Sequence, residues 1–382
     1  MSSITSSEII KNRFKAIFAL PIEGRVFGLD FMRAIAILGV LLTHAQLVLP
    51  ANERGWLGTF ASFSGTLGVE LFFVLSGFLI GSILLSLAPR FHEIRILPYF
   101  WQRRWLRTIP NYFLFLLANI LAAVLVARAI PNLLLYMSFT QNFLWPHPSF
   151  FDQAWSLTIE EWFYLLFPIS LYLLYRLFKS FDVAFIVSAG IFLVIPTAIR
   201  INWAVTTNLD WDTYFRKIML LRLDSIMYGV LAAWIKKNSP TFWKKYRWPL
   251  IIFGLLIVTV SWSWVLIRGV DADFFGKTFL FSCTSLGFAC LLPVLDQWKL
   301  QHETIASTTT RLIALWSYSL YLCNLLVAQI FMLINEKISG IPFSIGILFF
   351  AAFFVISFAV SAMVYSFFEK PILDLRNRFS IS

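Results

Sequence analysis

Ten stretches of mainly apolar residues, separated by short polar segments, follow one another along the chain. Each stretch is 18–25 residues long, close to the roughly 20 residues with which an α-helix crosses a bilayer. The pattern therefore predicts an all-α, polytopic membrane protein with about ten transmembrane helices. The predicted spans are residues 31–50, 65–88, 108–127, 157–176, 182–199, 218–235, 249–268, 276–295, 312–334 and 343–367.

The Lys and Arg residues predict the orientation of these spans. With the N-terminus in the cytoplasm, 21 of the 31 basic residues fall in cytoplasmic segments and 8 in outer loops, and Arg33 and Arg222 lie within spans. Because cytoplasmic loops of membrane proteins carry the excess of basic residues, both termini are predicted to be cytoplasmic. Residues 1–27 and 374–382 are then cytoplasmic segments on either side of a membrane domain, residues 28–373, and no appended soluble domain is expected.

Composition supports the membrane assignment. The chain is 59% hydrophobic and only 13% charged, which excludes an ordinary soluble protein of this length. Its net charge of +11 is expected to collect in cytoplasmic loops. The lipid bilayer is therefore the expected partner of this basic chain, and nucleic acid is not.

Two ionisable residues lie in the first span, FMRAIAILGVLLTHAQLVL. Such a side chain costs roughly 2.5–3.5 kcal/mol to insert into a membrane and marks a candidate functional site. Arg33 and His44 are eleven residues apart, which on a helix is three turns plus about 20° and about 16 Å along the axis. One helix should therefore carry a cation near the inner membrane face and a titratable imidazole farther out.

Carboxylates on other spans are predicted to approach from the outer side. Glu70 lies near the outer end of span 2, Glu160 near that of span 4, and Arg222 and Asp224 open span 6. His44 and these carboxylates could meet in one outward-facing cavity, where a carboxylate would orient the imidazole and stabilise its protonated form. The alternative is that these residues only pair helices with one another.

The loop before span 3, RFHEIRILPYFWQRRWLRTIPNY, has a different character. Arg104 and Arg107 lie on one helix face, and guanidinium groups bind phosphates through two hydrogen bonds each. With the neighbouring aromatic residues, they suit a nucleotide-bearing cofactor that enters from the cytosol. The alternative is simple anchoring by basic and aromatic residues at the membrane surface. No metal-ligand cluster is evident in the sequence.

Four segments together resemble the membrane-bound acyltransferase family 3, whose members O-acylate polysaccharides and other extracytoplasmic acceptors. GLDFMRAIAILGVLLTH is similar to the family's first-span motif and GVELFFVLSGFLIG to its second. RRWLRTIPNY resembles the Arg-x-x-Arg segment before span 3, and WSLTIEEWFYLLFP resembles the Trp-Ser-Leu…Glu-Glu motif. With weaker likenesses in RLDSIMYG, SYSLYL and FFEKP, the resemblance runs from about residue 28 to 373.

The resemblance implies an O-acyltransferase, with no metal, in a bacterial cytoplasmic membrane. An acyl group, often acetyl, would pass from cytosolic acyl-CoA to a hydroxyl of a saccharide or glycolipid acceptor. His44 would act as the base or carry the acyl group briefly. The residues assigned on this basis are His44, Glu70 and Glu160 for catalysis; Asp30, Arg33, Arg104 and Arg107 for the coenzyme; and Trp155, Ser156, Arg222 and Asp224 for the acceptor.

One position departs from the family pattern, and one alternative function remains. Many relatives have a histidine near position 324, where this chain has Asn324, so no role is assigned there. The alternative is a transporter or flippase for an anionic or glycosidic solute that uses the same buried charges.

Overall fold

The structure is a computed structural model that describes residues 25–50, 54–337 and 342–378. Within these ranges the chain forms helices joined by turns, without a strand, which confirms the predicted all-α class. Most of the N-terminal segment predicted to be cytoplasmic, and the last residues of the C-terminal one, lie outside the described residues.

The long helices contain the apolar stretches of the sequence, and several of them begin before the stretch does. Because hydrocarbon offers no hydrogen-bond partner, the backbone of such a stretch satisfies its polar groups within the helix. The longer helices are α1 (Phe27–Ala45), α2 (Gly55–Ser86), α3 (Ile96–Leu125), α5 (Ala154–Phe178), α6 (Phe181–Thr206), α7 (Leu223–Asn238), α9 (Arg247–Arg268), α11 (Leu280–Ala289), α13 (Ile305–Lys337) and α14 (Phe343–Val364). Five short helices complete the set: α4 (Leu133–Met137), α8 (Pro240–Lys245), α10 (Phe274–Thr278), α12 (Leu292–Leu295) and α15 (Lys370–Arg378).

Eight helical stretches of the described chain are long and apolar enough to cross a membrane. The chain is therefore an integral, multi-pass membrane protein. Two of the ten predicted spans do not form a single helix long enough to cross a membrane. The span predicted at 218–235 is the 16-residue helix α7. The span predicted at 276–295 is divided among α10, α11 and α12, and Pro293 stands at the start of α12, where its missing N–H is tolerated.

The chain folds as two compact units. The first consists of residues 1–68, 102–122 and 299–382, and in it α13 packs against both α1 and α14. Helices α1 and α2 approach closely there, because a Cβ atom on Gly39 would overlap the carbonyl oxygen of Ser64. Thr43 reinforces this contact by donating a hydrogen bond of 2.5 Å to the carbonyl oxygen of Ala61. The C-terminal end of α1, which carries His44, is thus held firmly in this unit.

The second unit consists of residues 69–101 and 123–298. Helix α6 packs on α5 and α7, and α11 packs on α7 and α9. A Cβ on Gly77 or on Gly229 would overlap the backbone of the facing helix, so α2 and α7 are in backbone contact. Glu70 of α2 and Asp224 of α7 are both buried in this unit.

Candidate functional site

His44 lies in the last turn of α1 and contacts Asn324 of α13. Its ring nitrogen Nδ1 is in hydrogen-bond contact with the side-chain oxygen Oδ1 of Asn324. Asn324 is fully buried, whereas His44 is half-buried. The predicted catalytic histidine is therefore held by a specific polar partner from a distant part of the chain.

The opposite end of α1 carries a cluster of charges around Asp30, a nearly fully buried carboxylate. Arg25 donates two hydrogen bonds to it, of 3.0 and 2.6 Å. Arg33 and Arg311 each lie 3.4 Å from a carboxylate oxygen of Asp30. Arg311 also pairs with Glu303 at 3.0 Å. Three guanidinium groups from two regions of the chain therefore surround one carboxylate.

Arg104 and Arg107 belong to the same cluster. Both lie within electrostatic range of Arg33 and repel its positive charge, as Arg25 also does. Like charges brought together in this way destabilise one another unless an anion joins them. We call the residues Arg25, Arg33, Arg104, Arg107 and Arg311 the basic cluster; it gathers all three predicted coenzyme-binding arginines.

One buried acid beside this cluster was not predicted as a site residue. Glu369 accepts hydrogen bonds from Asn111, at 2.8 Å, and from Ser319, at 2.7 Å. Arg107 lies within electrostatic range of Glu369. The FFEKP segment that contains Glu369 had a weak family likeness, which was the one signal in the sequence for this position.

Glu70 and Arg222 form a buried ion pair in the second unit. The guanidinium group of Arg222 contacts the Glu70 carboxylate and stacks over Phe281 at 3.6 Å from the ring centroid. The other Glu70 oxygen accepts a hydrogen bond of 3.2 Å from Ser285. Both oxygens of the predicted catalytic carboxylate of Glu70 therefore have polar partners within the protein.

Asp224 is paired in a similar way. It accepts hydrogen bonds from Arg200 at 2.9 and 2.7 Å and from Ser282 at 2.7 Å. Asp224 and Arg200 are both fully buried. Arg200, which the sequence analysis did not select, is thus the partner that neutralises this predicted acceptor-binding residue.

Glu160 has hydroxyl partners. Its two carboxylate oxygens accept hydrogen bonds from Ser76, at 3.1 Å, and from Tyr164, at 2.7 Å. Helix α5 begins at Ala154, so Glu160 lies in its second turn. The carboxylate is half-buried, in contrast to the fully buried Glu70.

The remaining predicted acceptor-binding residues are at the start of α5. Trp155 is buried, and the guanidinium group of Arg216 lies over its ring at 4.9 Å from the centroid. Ser156 is also buried, and its hydroxyl donates to the carbonyl oxygen of Gln153 at 3.4 Å. The indole and the hydroxyl are therefore packed against neighbouring parts of their own unit.

Loss of Arg222 should destabilise the protein strongly. We expect Arg222→Leu to lower the free energy of unfolding by about 3–5 kcal/mol, since it leaves the Glu70 charge buried and unpaired. The double variant Glu70→Gln/Arg222→Leu should recover part of the loss. Thermal unfolding in detergent measures both, with exposed Arg268 changed to Gln as the control. Equal melting of Arg222→Leu and wild type would contradict the assignment.

The structure brings the predicted residues together in separate groups. Asp30, Arg33, Arg104 and Arg107 share the basic cluster, and Glu70 pairs with Arg222. His44 belongs to the first unit, whereas Glu70 and Glu160 belong to the second. The expected meeting of His44 with these carboxylates therefore stays a prediction. Residues that the sequence analysis missed are Arg25, Arg311, Glu369, Arg200 and the His44 partner Asn324.

Comparison with known proteins identifies the membrane domain. Residues 26–366 match the family profile described as an acyltransferase domain. The O-acetyltransferase OatA of Staphylococcus aureus strain NCTC 8325 / PS 47 is 31% identical over 258 residues, which are 61% of this chain and 38% of OatA. A provisionally named O-acetyltransferase, SACOL0978 of S. aureus strain COL, is 27% identical over 327 residues, which are 78% of this chain and 50% of that protein.

The chain is an integral membrane protein that carries an acyltransferase domain. The chain belongs to the acyltransferase 3 family, because the profile covers nearly all of it. It spans half or less of the length of the O-acetyltransferases that it matches. No solved structure is significantly similar to the chain. The family resemblance predicted from the sequence motifs is confirmed.

Proposed function

We propose that this protein is a membrane O-acyltransferase that moves an acyl group, acetyl in the first instance, from cytoplasmic acyl-CoA to a hydroxyl of a saccharide or glycolipid. The observation that carries the proposal is the arrangement on α1: the basic cluster lies at its start, and His44, held by Asn324, lies at its end. The O-acetyltransferase names of the relatives support acetyl as the transferred group.

We also propose that about ten helical segments cross or enter the membrane, with both termini cytoplasmic. The basic cluster supports the placement of both termini on the same side of the membrane, because it gathers residues from the beginnings of α1, α3 and α13. Arg107 of the cluster also lies within range of Glu369, just beyond the end of α14. The excess of Lys and Arg in the same segments favours the cytoplasmic side.

The basic cluster is the proposed site for the coenzyme phosphates. Among the described residues, the five arginines of the basic cluster outnumber the three acids recorded beside them, Asp30, Glu303 and Glu369. Coenzyme A carries a diphosphate and a ribose phosphate, and guanidinium groups bind such oxygens with paired, charge-assisted hydrogen bonds. In this proposal Asp30 holds the guanidinium groups in a fixed orientation, since three of the arginines donate hydrogen bonds to it or form ion pairs with it.

His44 is the proposed general base. The acceptor hydroxyl loses its proton to the imidazole as its oxygen forms a bond to the thioester carbonyl carbon. Collapse of the tetrahedral intermediate breaks the carbon–sulfur bond, and the departing coenzyme thiolate takes the proton from the imidazolium. The products are the acylated acceptor and free coenzyme A, so the histidine returns to its neutral form without a net change.

Of the two predicted catalytic carboxylates, we propose that Glu160 contributes directly to turnover. Two hydroxyl groups donate hydrogen bonds to its half-buried carboxylate, whereas Glu70 is fully buried in an ion pair with Arg222. In this proposal Glu70 affects turnover indirectly, through its ion pair with Arg222. Trp155, Ser156, Arg222 and Asp224 remain the residues proposed to shape acceptor selection, and their buried positions suggest that they do so by supporting the surrounding structure.

Replacing Glu160 tests this distinction. We expect Glu160→Gln to lower turnover and to move the acidic limb of the pH–rate profile to lower pH, since a carboxylate favours the protonated form of a nearby base. Turnover should be measured against pH in matched detergent and normalised to folded protein. Glu161→Gln is the control, because adjacent helical residues point about 100° apart. Full activity with an unshifted profile would assign Glu160 to the scaffold.

A further inference from the structure

Asn324 is held in one orientation by its own helix. Its side-chain nitrogen Nδ2 lies 2.7 Å from the carbonyl oxygen of Leu320 and 2.9 Å from that of Tyr321. Carbonyl oxygens only accept hydrogen bonds, so the amide group must face them. The opposite orientation would place oxygen against two oxygens. The carboxamide oxygen of Asn324 therefore points toward His44.

The contact with His44 then has a defined direction. Because the oxygen Oδ1 of Asn324 is an acceptor, the ring nitrogen Nδ1 of His44 that contacts it must carry a proton. In a neutral imidazole only one nitrogen is protonated, so the lone pair is left on Nε2. A buried carboxamide that meets the ring in this way selects one of the two tautomers.

We propose that Asn324 is a positioning residue that fixes the tautomer of His44, with the proton on Nδ1 and the basic lone pair on Nε2. The inference rests on the proposed function, since it assigns the reacting nitrogen of the proposed base. In the transfer step, the acceptor proton moves to Nε2 while the Nδ1–H bond to Asn324 is kept. Asn324 itself touches no reacting atom.

The groups around Asn324 restrict the movement of its side chain. Its side chain has no exposed surface, and a buried carboxamide without partners costs about 1–3 kcal/mol. The neighbouring Cys323 contacts Ser361 of α14 at 3.1 Å, and α13 also packs along α1. The backbone of α13 is thus fixed on both sides, so the distance between Asn324 and His44 is set by helix packing.

The competing explanation is that Asn324 is merely a buried polar residue satisfied by its own helix. Asn119 provides the matched case in the same unit. It is also buried, and its side-chain nitrogen donates to the carbonyl oxygen of Phe115, four residues earlier, at 2.7 Å. Asn119→Leu therefore measures the effect of removing such an amide where no histidine role is proposed.

The first measurement uses the wild-type protein. Solid-state ¹⁵N NMR of histidine-labelled protein in lipid, at a pH where the imidazole is neutral, distinguishes a protonated from an unprotonated ring nitrogen. The chain has four histidines, and the signal missing from His44→Gln identifies the one of interest. We expect the Nδ1-protonated tautomer. The Nε2-protonated tautomer in the wild type would overturn the inference without any further variant.

Two substitutions at Asn324 supply the second measurement. Asn324→Leu should lower kcat about 10- to 100-fold, the loss seen when outer partners of ligating histidines are removed, while KM for acetyl-CoA stays within about threefold. The His44 signal should become a mixture of tautomers. Asn324→Asp, with a proton on the carboxyl oxygen that faces the carbonyl oxygens of Leu320 and Tyr321, keeps an acceptor for Nδ1–H. It should therefore retain the tautomer and more activity than Asn324→Leu. Asn119→Leu should leave both readouts unchanged.

The outcomes separate this inference from the proposed function. An unchanged tautomer in Asn324→Leu, or equal loss of kcat in Asn324→Leu and Asn119→Leu, would overturn the role of Asn324 and leave the acyltransferase proposal standing. Full activity of His44→Gln would instead contradict the proposed base. Should Asn324→Leu fail to fold, loss of the Nδ1-protonated tautomer in folded Asn324→Asp would equally count against the inference.

Discussion

His44→Ala should remain folded and inserted in the membrane while its turnover falls about 10²- to 10⁴-fold, the typical contribution of a general base. KM for acetyl-CoA should change little, because the basic cluster lies at the other end of α1, about 16 Å away along the helix axis. Loss of kcat without loss of donor affinity is the signature of an interaction made in the transition state. Steady-state kinetics on purified protein, with folded protein quantified, give both constants.

The matched control for this variant is His302→Ala. His302 is exposed and lies before α13, far along the chain from the helix end that carries His44. We expect His302→Ala to have wild-type kinetics. Retention of more than about half of the wild-type turnover by His44→Ala would contradict the proposed general base, whose loss should be far larger.

Arg104→Ala and Arg107→Ala should each weaken acyl-CoA binding about tenfold to a hundredfold. A hydrogen bond to a charged group contributes about 1.5–3 kcal/mol, and 1.4 kcal/mol corresponds to a factor of ten in Kd. Arg→Lys should restore binding only in part, because an ammonium group cannot form the paired hydrogen bonds of a guanidinium group. Titration calorimetry with acetyl-CoA measures the change, and acceptor binding should be less affected.

Arg103→Ala is the control for these two variants. Arg103 is the neighbour of Arg104 on α3, but adjacent helical side chains point about 100° apart. Coenzyme affinity should therefore remain close to wild type in Arg103→Ala. Unchanged affinity in both Arg104→Ala and Arg107→Ala would refute the coenzyme assignment of the basic cluster.

Most of the fold was predictable because a membrane helix has a strong local signal. All ten apolar stretches are mainly helical in the structure, because the polar groups of a backbone in hydrocarbon must form hydrogen bonds with one another. The boundaries were less predictable. Helix α2 begins at Gly55 and α3 at Ile96, well before the predicted starts at 65 and 108. Residues 55–64 and 96–107 include Gly, Thr, Ser, Gln and Arg, which lower the mean hydropathy and hide the part of each helix that precedes the apolar stretch.

The site was predictable only in part. Charged residues within apolar stretches stand out, so Arg33, His44, Glu70 and Arg222 could be selected. Their partners could not, because pairing across the fold leaves no local pattern. Glu70 and Arg222 are 152 positions apart, Asp30 and Arg311 281, and His44 and Asn324 280. Arg311 lies in an ordinary segment of α13, and Asn324 follows the SYSLYL segment without a role that the sequence could assign. Helix packing shows the partners of both residues.

The central claim is that the protein transfers an acyl group from acyl-CoA to a hydroxyl without a transmembrane gradient. The most direct test incubates purified protein in detergent with acetyl-CoA labelled in the acetyl group and a glycolipid extract, and follows both the label and the free thiol. We predict labelled, alkali-labile ester on the acceptor together with released coenzyme A, and at least about a hundredfold less of both products with His44→Ala. A protein that leaves acetyl-CoA intact but moves an anionic or glycosidic solute across proteoliposomes would contradict the account and favour a transporter.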